Sequence, residues 1–224
     1  HQQECIVTTP AQSIILDVQI ALLDVSGTRW PATELVKYLH DGQRAIAQMR
    51  PDTTATVVTF TPAAAGARHT LPAAAASLID IPRNAGVRKR AITKVDQVLL
   101  DATVRDWQGM APAAEIQHFM HDLREPRAFL TYPPAATTAA LELVYSAYPA
   151  ATATASGPAA ATVSGNIDLP DEWANPLLNY VLYRAYSKDA EFAGNAQLAA
   201  SHLALFNNAA GIQLEASSTV APQT

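Results

Sequence analysis

The chain has 224 residues, with 15 Lys+Arg against 20 Asp+Glu and a formal net charge of −5, a length that can bury one sizeable core with or without an insertion. Charged residues make up 16%, below the roughly 25% of an ordinary domain, and its 45 alanines make much of the 49% hydrophobic content small. The acidic balance argues against a general nucleic-acid binder, no apolar run approaches the roughly 18 residues of a membrane span, and the lone Cys5 excludes an internal disulfide or a cysteine-based zinc knuckle.

No basic segment followed by an apolar one opens this stretch, so no secretory leader is expected in it. Over residues 11–24, Ile14, Val18, Ala21, Leu22 and Val25 recur near the helical period and predict an amphipathic helix. Ser26, Gly27 and Thr28 break it. A second helix opens at Pro31, carries Leu35, Leu39, Gly42, Ile46 and Met49 on one seam, and stops before Pro51. The short glycine-containing connection predicts an antiparallel helical hairpin.

The middle of the chain changes period. Residues 56–60 are β-branched and read as a strand, with Pro62, Gly66 and Pro72 after them. Residues 73–81 fit a helical turn or a strand equally, 88–95 an extended segment, and 96–102 a short helical turn. Residues 116–121 and 128–132 flank a turn with Pro126 and predict a β-hairpin; 141–145 alternate as a further strand, which Pro149 closes. Residues 150–166 are nearly all Ala, Thr, Ser, Gly and Pro and predict a mobile loop that packs no core. Helix returns after Leu169-Pro170-Asp171-Glu172, with Tyr180, Tyr183 and Tyr186 as bulk and Pro176 as a kink or the true start. A last helix bears Phe192, Ala196, Ala199, Leu203 and Phe206 and is capped at Gly211. The expected fold is therefore α+β in a single domain: a helical bundle of two N-terminal and two C-terminal helices (10–50 and 168–211), an inserted small antiparallel β region (55–149), a flexible loop (150–167) and an extended C-terminal tail (212–224).

Sites of chemistry are sparse. His118, His121 and Asp122 form an H-x-x-H-D string, but in a strand residues three apart face opposite sides, so metal-dependent hydrolysis is a distant alternative and no metal site is assigned. His40-Asp41 reads as a solvated helix face and Cys5 as an incidental thiol. No G-x-S-x-G, P-loop or G-x-G-x-x-G string occurs, so no catalytic residue and no cofactor is expected. Arg83, Arg88, Lys89 and Arg90 form a basic cluster. On a monomer it is a basic turn; repeated around a ring of copies it would line a DNA channel or meet an acidic partner ring.

Several strings resemble a known family. Gly27-Thr28-Arg29-Trp30 leads to Glu34-Leu35, and the second helix ends Met49-Arg50-Pro51-Asp52. Asp106-Trp107, Pro126-Arg127-Ala128-Phe129, Tyr132-Pro133-Pro134 and 141–149 follow. Leu169-Pro170-Asp171 then precedes the run from Tyr180 to Glu191. In order and spacing, over residues 10–211, they resemble the head-to-tail adaptor (connector) proteins of tailed bacteriophages, of the helical-bundle type with a β insertion. Pro176 and the alanine-rich middle depart from that pattern. The resemblance implies a non-enzymatic virion protein made in the bacterial cytoplasm and placed at the head–tail junction. There a dodecameric ring of copies would join the portal ring to the tail or nozzle protein, extending the channel for genomic DNA without sequence specificity and without a membrane. Family C-terminal segments reach into the portal, which makes Ile212, Leu214, Val220, Pro222 and Thr224 candidate portal contacts. A tail-terminator or collar ring is the nearest alternative, and a soluble binding module a further one.

Overall fold

The computed structural model describes residues 9–86, 88–189, 191–192 and 194–220, the last nine as helical backbone. In chain order the elements are α1 (Ala11–Ala21), α2 (Ala32–Met49), β1 (Ala55–Phe60), β2 (Gly66–Thr70), β3 (Ala75–Asn84), β4 (Thr93–Lys94), α3 (Gln97–Thr103), β5 (His118–Met120), β6 (Ala128–Ala135), β7 (Leu141–Ala147), β8 (Thr154–Ala155), β9 (Val163–Ser164), α4 (Ala174–Lys188) and α5 (Asn195–Val220). The bundle of two plus two helices with a small antiparallel insertion is thus corrected. The chain is α+β, but among the described residues it has five α-helices and nine strands in three sheets. The extended tail is corrected with it, since α5 passes through Gly211 to Val220. A glycine far from any turn signal costs a helix only about 1 kcal/mol and does not end it. Where one domain is expected, contacts divide the chain into two compact units, His1–Thr53 with Pro149–Thr224, and Thr54–Tyr148.

In the first unit α4 lies against α1, α2 and α5. Its Leu177, Val181, Leu182 and Ala185 share one buried cluster with Ile14, Ile15 and Val18 of α1 and Leu35, Leu39 and Ile46 of α2. A hairpin of α1 on α2 alone is therefore not the packing unit. Gly42 permits the close approach of α2 and α4, since a Cβ there would come within 2.9 Å of the Tyr180 ring. Pro176 sits in the first turn of α4, where no intrahelical donor is lost. Met49 and Val25, expected on apolar faces, are exposed.

Residues 150–167, read from composition as a mobile loop, hold β8 and β9 as an antiparallel pair and bury Ala153, Ala160, Val163 and Ile167 in the same cluster. Their small side chains let backbone approach backbone, and α1 supplies what that backbone needs. Gln19 is 0% exposed. Its Nε2 donates to the carbonyls of Trp30 (3.2 Å) and Pro158 (2.9 Å), and its Oε1 accepts from the Ala160 N–H (3.0 Å). Pro158 O also accepts from Ala32 N at 2.7 Å. Gly27, at φ +68°, passes so near this carbonyl that a Cβ would meet it at 2.0 Å.

The second unit has a three-stranded sheet in the order β1-β7-β3 and a four-stranded sheet in the order β2-β6-β5-β4. All pairs are antiparallel except β4 with β5, which is parallel. Leu71, Ile81, Phe119, Phe129, Leu141 and Leu143 fill one core, and Trp107, Leu100 and Met120 a smaller one. β5 and β6 pair as the turn at Pro126 predicts, and the ambiguous 73–81 segment is strand. The extended segment expected over 88–95 shrinks to Thr93–Lys94.

The second unit buries His69, and the first holds His40 and His202 half-buried. His69 stands between Phe60 and Phe129, with ring centroids 6.2 and 5.5 Å away. His202 stacks on Tyr186 at 5.7 Å, and its Nδ1 lies 2.9 Å from the Asn179 side-chain oxygen. Burial lowers the pKa of His69 and His202, and of His40 with help from Arg44.

Two expectations follow from this packing. Leu39→Ala truncates a fully buried side chain and is expected to cost about 2–5 kcal/mol; Gln19→Leu orphans buried backbone groups and is expected to cost about 2–4 kcal/mol. Urea titrations measure both. The histidines set a pH dependence: below the unfolded value near 6.5 the unfolded chain binds protons that the folded one refuses. Unfolding free energy should then be level above about pH 7 and fall as pH drops from 6.5 to 5, with part of that slope removed by His69→Phe.

Candidate functional site

The basic cluster is built on the end of β3. Asn84 is 3% exposed. Its Oδ1 accepts from the Ile116 N–H (2.9 Å), and its Nδ2 donates to the carbonyls of Ile116 (2.8 Å) and Arg90 (3.1 Å). Its backbone N–H donates to Arg90 O at 2.8 Å. One side chain thus fastens both ends of the turn to the strand region before β5. Lys89 takes a positive φ of 45° and donates its N–H to Gly86 O at 3.1 Å.

The four cations are brought together, and with them two carboxylates that no local spacing announces. Arg83 lies 3.5 Å from Glu142, and Arg90 and Arg88 lie 3.1 and 4.0 Å from Glu115. All three guanidinium side chains are at least half exposed. Pairs so exposed contribute roughly 0–1 kcal/mol each, so they orient the arginines without neutralising the surface. Lys89 forms no ion pair among the described residues.

The H-x-x-H-D string does not act as a unit. His118 stacks on Tyr132 at 6.0 Å, whereas His121 Nδ1 lies 3.0 Å from Ala128 O. Asp122 accepts from the Arg124 N–H (2.9 Å) and guanidinium (3.1 Å), which hold its carboxyl below the usual carboxylate range. Asp122 and His121 line a groove of about 980 Å³ with Arg68, Asp96, Asp101 and Glu125. Its carboxylates are taken. Glu125 pairs with Arg68 at 2.7 Å, Asp101 accepts from Trp107 Nε1 at 2.7 Å, and Asp96 caps α3 through the Val98 N–H at 3.0 Å. Among the described residues no three His, Cys, Asp or Glu side chains gather as metal ligands.

Of the candidate tail contacts, Ile212, Leu214 and Val220 lie on the backbone of α5, their side chains outside the described residues, and Pro222 and Thr224 lie outside them altogether. The aromatic helix divides. Trp173 is fully buried, while Tyr180 and Tyr186 are partly buried against the core. Phe192 is exposed beneath the Arg29 guanidinium, 4.7 Å from its ring centroid. Sequence reasoning missed Asn84, Glu115 and Gln19, because a lone amide or carboxylate carries no periodic signal.

No helix among the described residues is long and apolar enough to cross a membrane. No individually curated protein matches the chain in sequence. The model of one protein family, described as SU10 adaptor protein, matches residues 9–223. Since the match takes in both compact units and nearly the whole chain, the protein belongs to this family of phage head-to-tail adaptors and is a structural component of a bacteriophage particle.

Proposed function

We propose that copies of this chain form a closed, dodecameric ring that joins the portal ring to the tail and continues the channel through which genomic DNA passes, without catalysis. The observation that carries this reading is membership of the adaptor family over residues 9–223. The buried polar anchors support it. A ring element under load needs its exposed turns held rigidly, and Asn84 holds the basic turn with three side-chain hydrogen bonds. The low charge density supports it too, because surfaces covered by assembly are depleted of charge.

In this reading Arg83, Arg88, Lys89 and Arg90 repeat around the ring as a circle of positive charge toward passing DNA or an acidic partner ring. Four cations against two carboxylates leave each copy a net attraction for phosphate, which sums over copies and weakens with salt. The C-terminal segment with Ile212, Leu214, Val220, Pro222 and Thr224 contacts the portal.

Native mass measurement of the chain mixed with its portal ring tests the arrangement. Saturation at one chain per portal subunit is expected; binding to purified tails alone gives the chain to a tail-terminator or collar. Reversing charge at Arg88, Lys89 and Arg90 is expected to leave the melting temperature within a few degrees of the parent and to reduce genome retention or assembly. Full, infectious particles carrying the triple variant make the cluster an ordinary solvated turn.

A further inference from the structure

Sheet edges offer rows of unpaired N–H and C=O groups, and proteins blunt them with charge, proline, bulges or cover. The edges in the second unit are protected in that way, with one exception. β3 carries Asp80, Pro82 and Arg83, shifts register three times against β7, and has its outer side engaged by Leu78 N to Pro126 O (3.0 Å), Asn84 N to Arg90 O (2.8 Å) and Ile92 N to Pro82 O (3.0 Å). β2 carries Arg68 and a register shift. β4 is two residues long and includes Lys94.

β1 has none of these devices. Its sequence, Ala-Thr-Val-Val-Thr-Phe, contains no charge and no proline. It pairs with β7 in unbroken register from Ala55↔Ser146 to Phe60↔Leu141. Among the described residues its backbone makes no hydrogen bond on the other side, so every second residue turns its N–H and C=O outward. One face of the strand, with Val58 and Phe60, packs on the core; the other presents Ala55, Val57 and Thr59, with Val57 61% exposed.

We infer that β1 is an acceptor edge for an extended, uncharged strand of another protein of the assembled particle, added beside β1 to continue the β3-β7-β1 sheet. The alternation of outward donors and acceptors fits a strand and no other backbone. The absence of charge on β1 selects an uncharged one, because a charge set against Val57 would lose water without a partner. Pairing of β1 with β1 of a second copy is the lesser fit. Six residues offer about 20 Å of edge, too little contact by itself for a stable dimer, for which roughly 1,200 Å² or more is usual. The same edge suffices for a segment whose parent protein is already held in place elsewhere. This inference rests on the chain being a component of the particle and not on which ring it adjoins.

Amide hydrogen exchange tests it, on the chain alone over a hundredfold range of concentration and on the chain in purified particles. In the free chain alternate amides of residues 55–60 should exchange freely at every concentration, and in the particle they should slow at least tenfold. Val57→Lys, on an exposed face, should keep the parent melting temperature yet enter particles at least tenfold less well, whereas Val57→Thr should enter normally. Unprotected amides in a chain that has entered the particle overturn the inference and leave the adaptor reading standing. Protection that rises with the concentration of the free chain gives the edge to a second copy and overturns it as well. A chain absent from particles overturns both.

Discussion

The first compact unit depends on one buried amide. Gln19 has no access to water, and both ends of its side chain bond to backbone outside the α-helices and strands. It reaches Trp30 ahead of α2 and Pro158 and Ala160 in the segment before α4. A buried polar group without its bonds is among the costlier defects a core can hold, so α1, the entry to α2 and residues 158–160 settle as one arrangement or not at all. Gln43 of α2 does this at one end only, its Oε1 accepting from Asp168 N at 2.6 Å while its Nε2 is buried without a partner among the described residues.

The connection between α1 and α2 is held by charge as well. Burial pushes the pKa of Asp24 up, but N–H groups of Trp30, Arg29 and Thr28 outweigh it and hold the carboxyl below its ordinary range. Those three bonds, at 2.7–2.9 Å, shape the loop in which Gly27 takes its positive φ. Arg29 leaves that loop to meet Asp189 at 2.6 Å and to cover Phe192, so the turn before α2 and the turn after α4 are linked.

Asn84 plays in the second unit the part Gln19 plays in the first. It makes the basic turn an extension of β3, and it sets Arg88 and Arg90 beside Glu115. A turn fixed by buried bonds presents the same surface in every copy of the chain. The groove near His121 shows the opposite economy: its acids are committed to a cap, an indole and two arginines, which leaves the His121 Nε2 as a buried ring nitrogen without a hydrogen-bond partner among the described residues.

By itself the sequence determined the local elements whose physics is local. The seam of Leu35, Leu39 and Ile46 needs only the helical period, β1 needs only its β-branched run, and α3 needs only Asp96 before it. The strings shared with tailed-phage adaptors also belong to the sequence, and the family followed from them. What only the tertiary structure decided is where bonds and contacts span long stretches of chain. Alanine-rich residues 150–167 look unable to fold because composition counts their side chains, whereas their order comes from backbone bonded to Gln19, over 130 residues away. Gly211 looks like a cap because local rules end helices at glycine, yet α5 runs on. The β region divides into two sheets, one with a parallel pair, because register is set between strands far apart in sequence. For the same reason the two carboxylates that steady the basic turn, and the bare outer edge of β1, are visible only once the sheets are assembled.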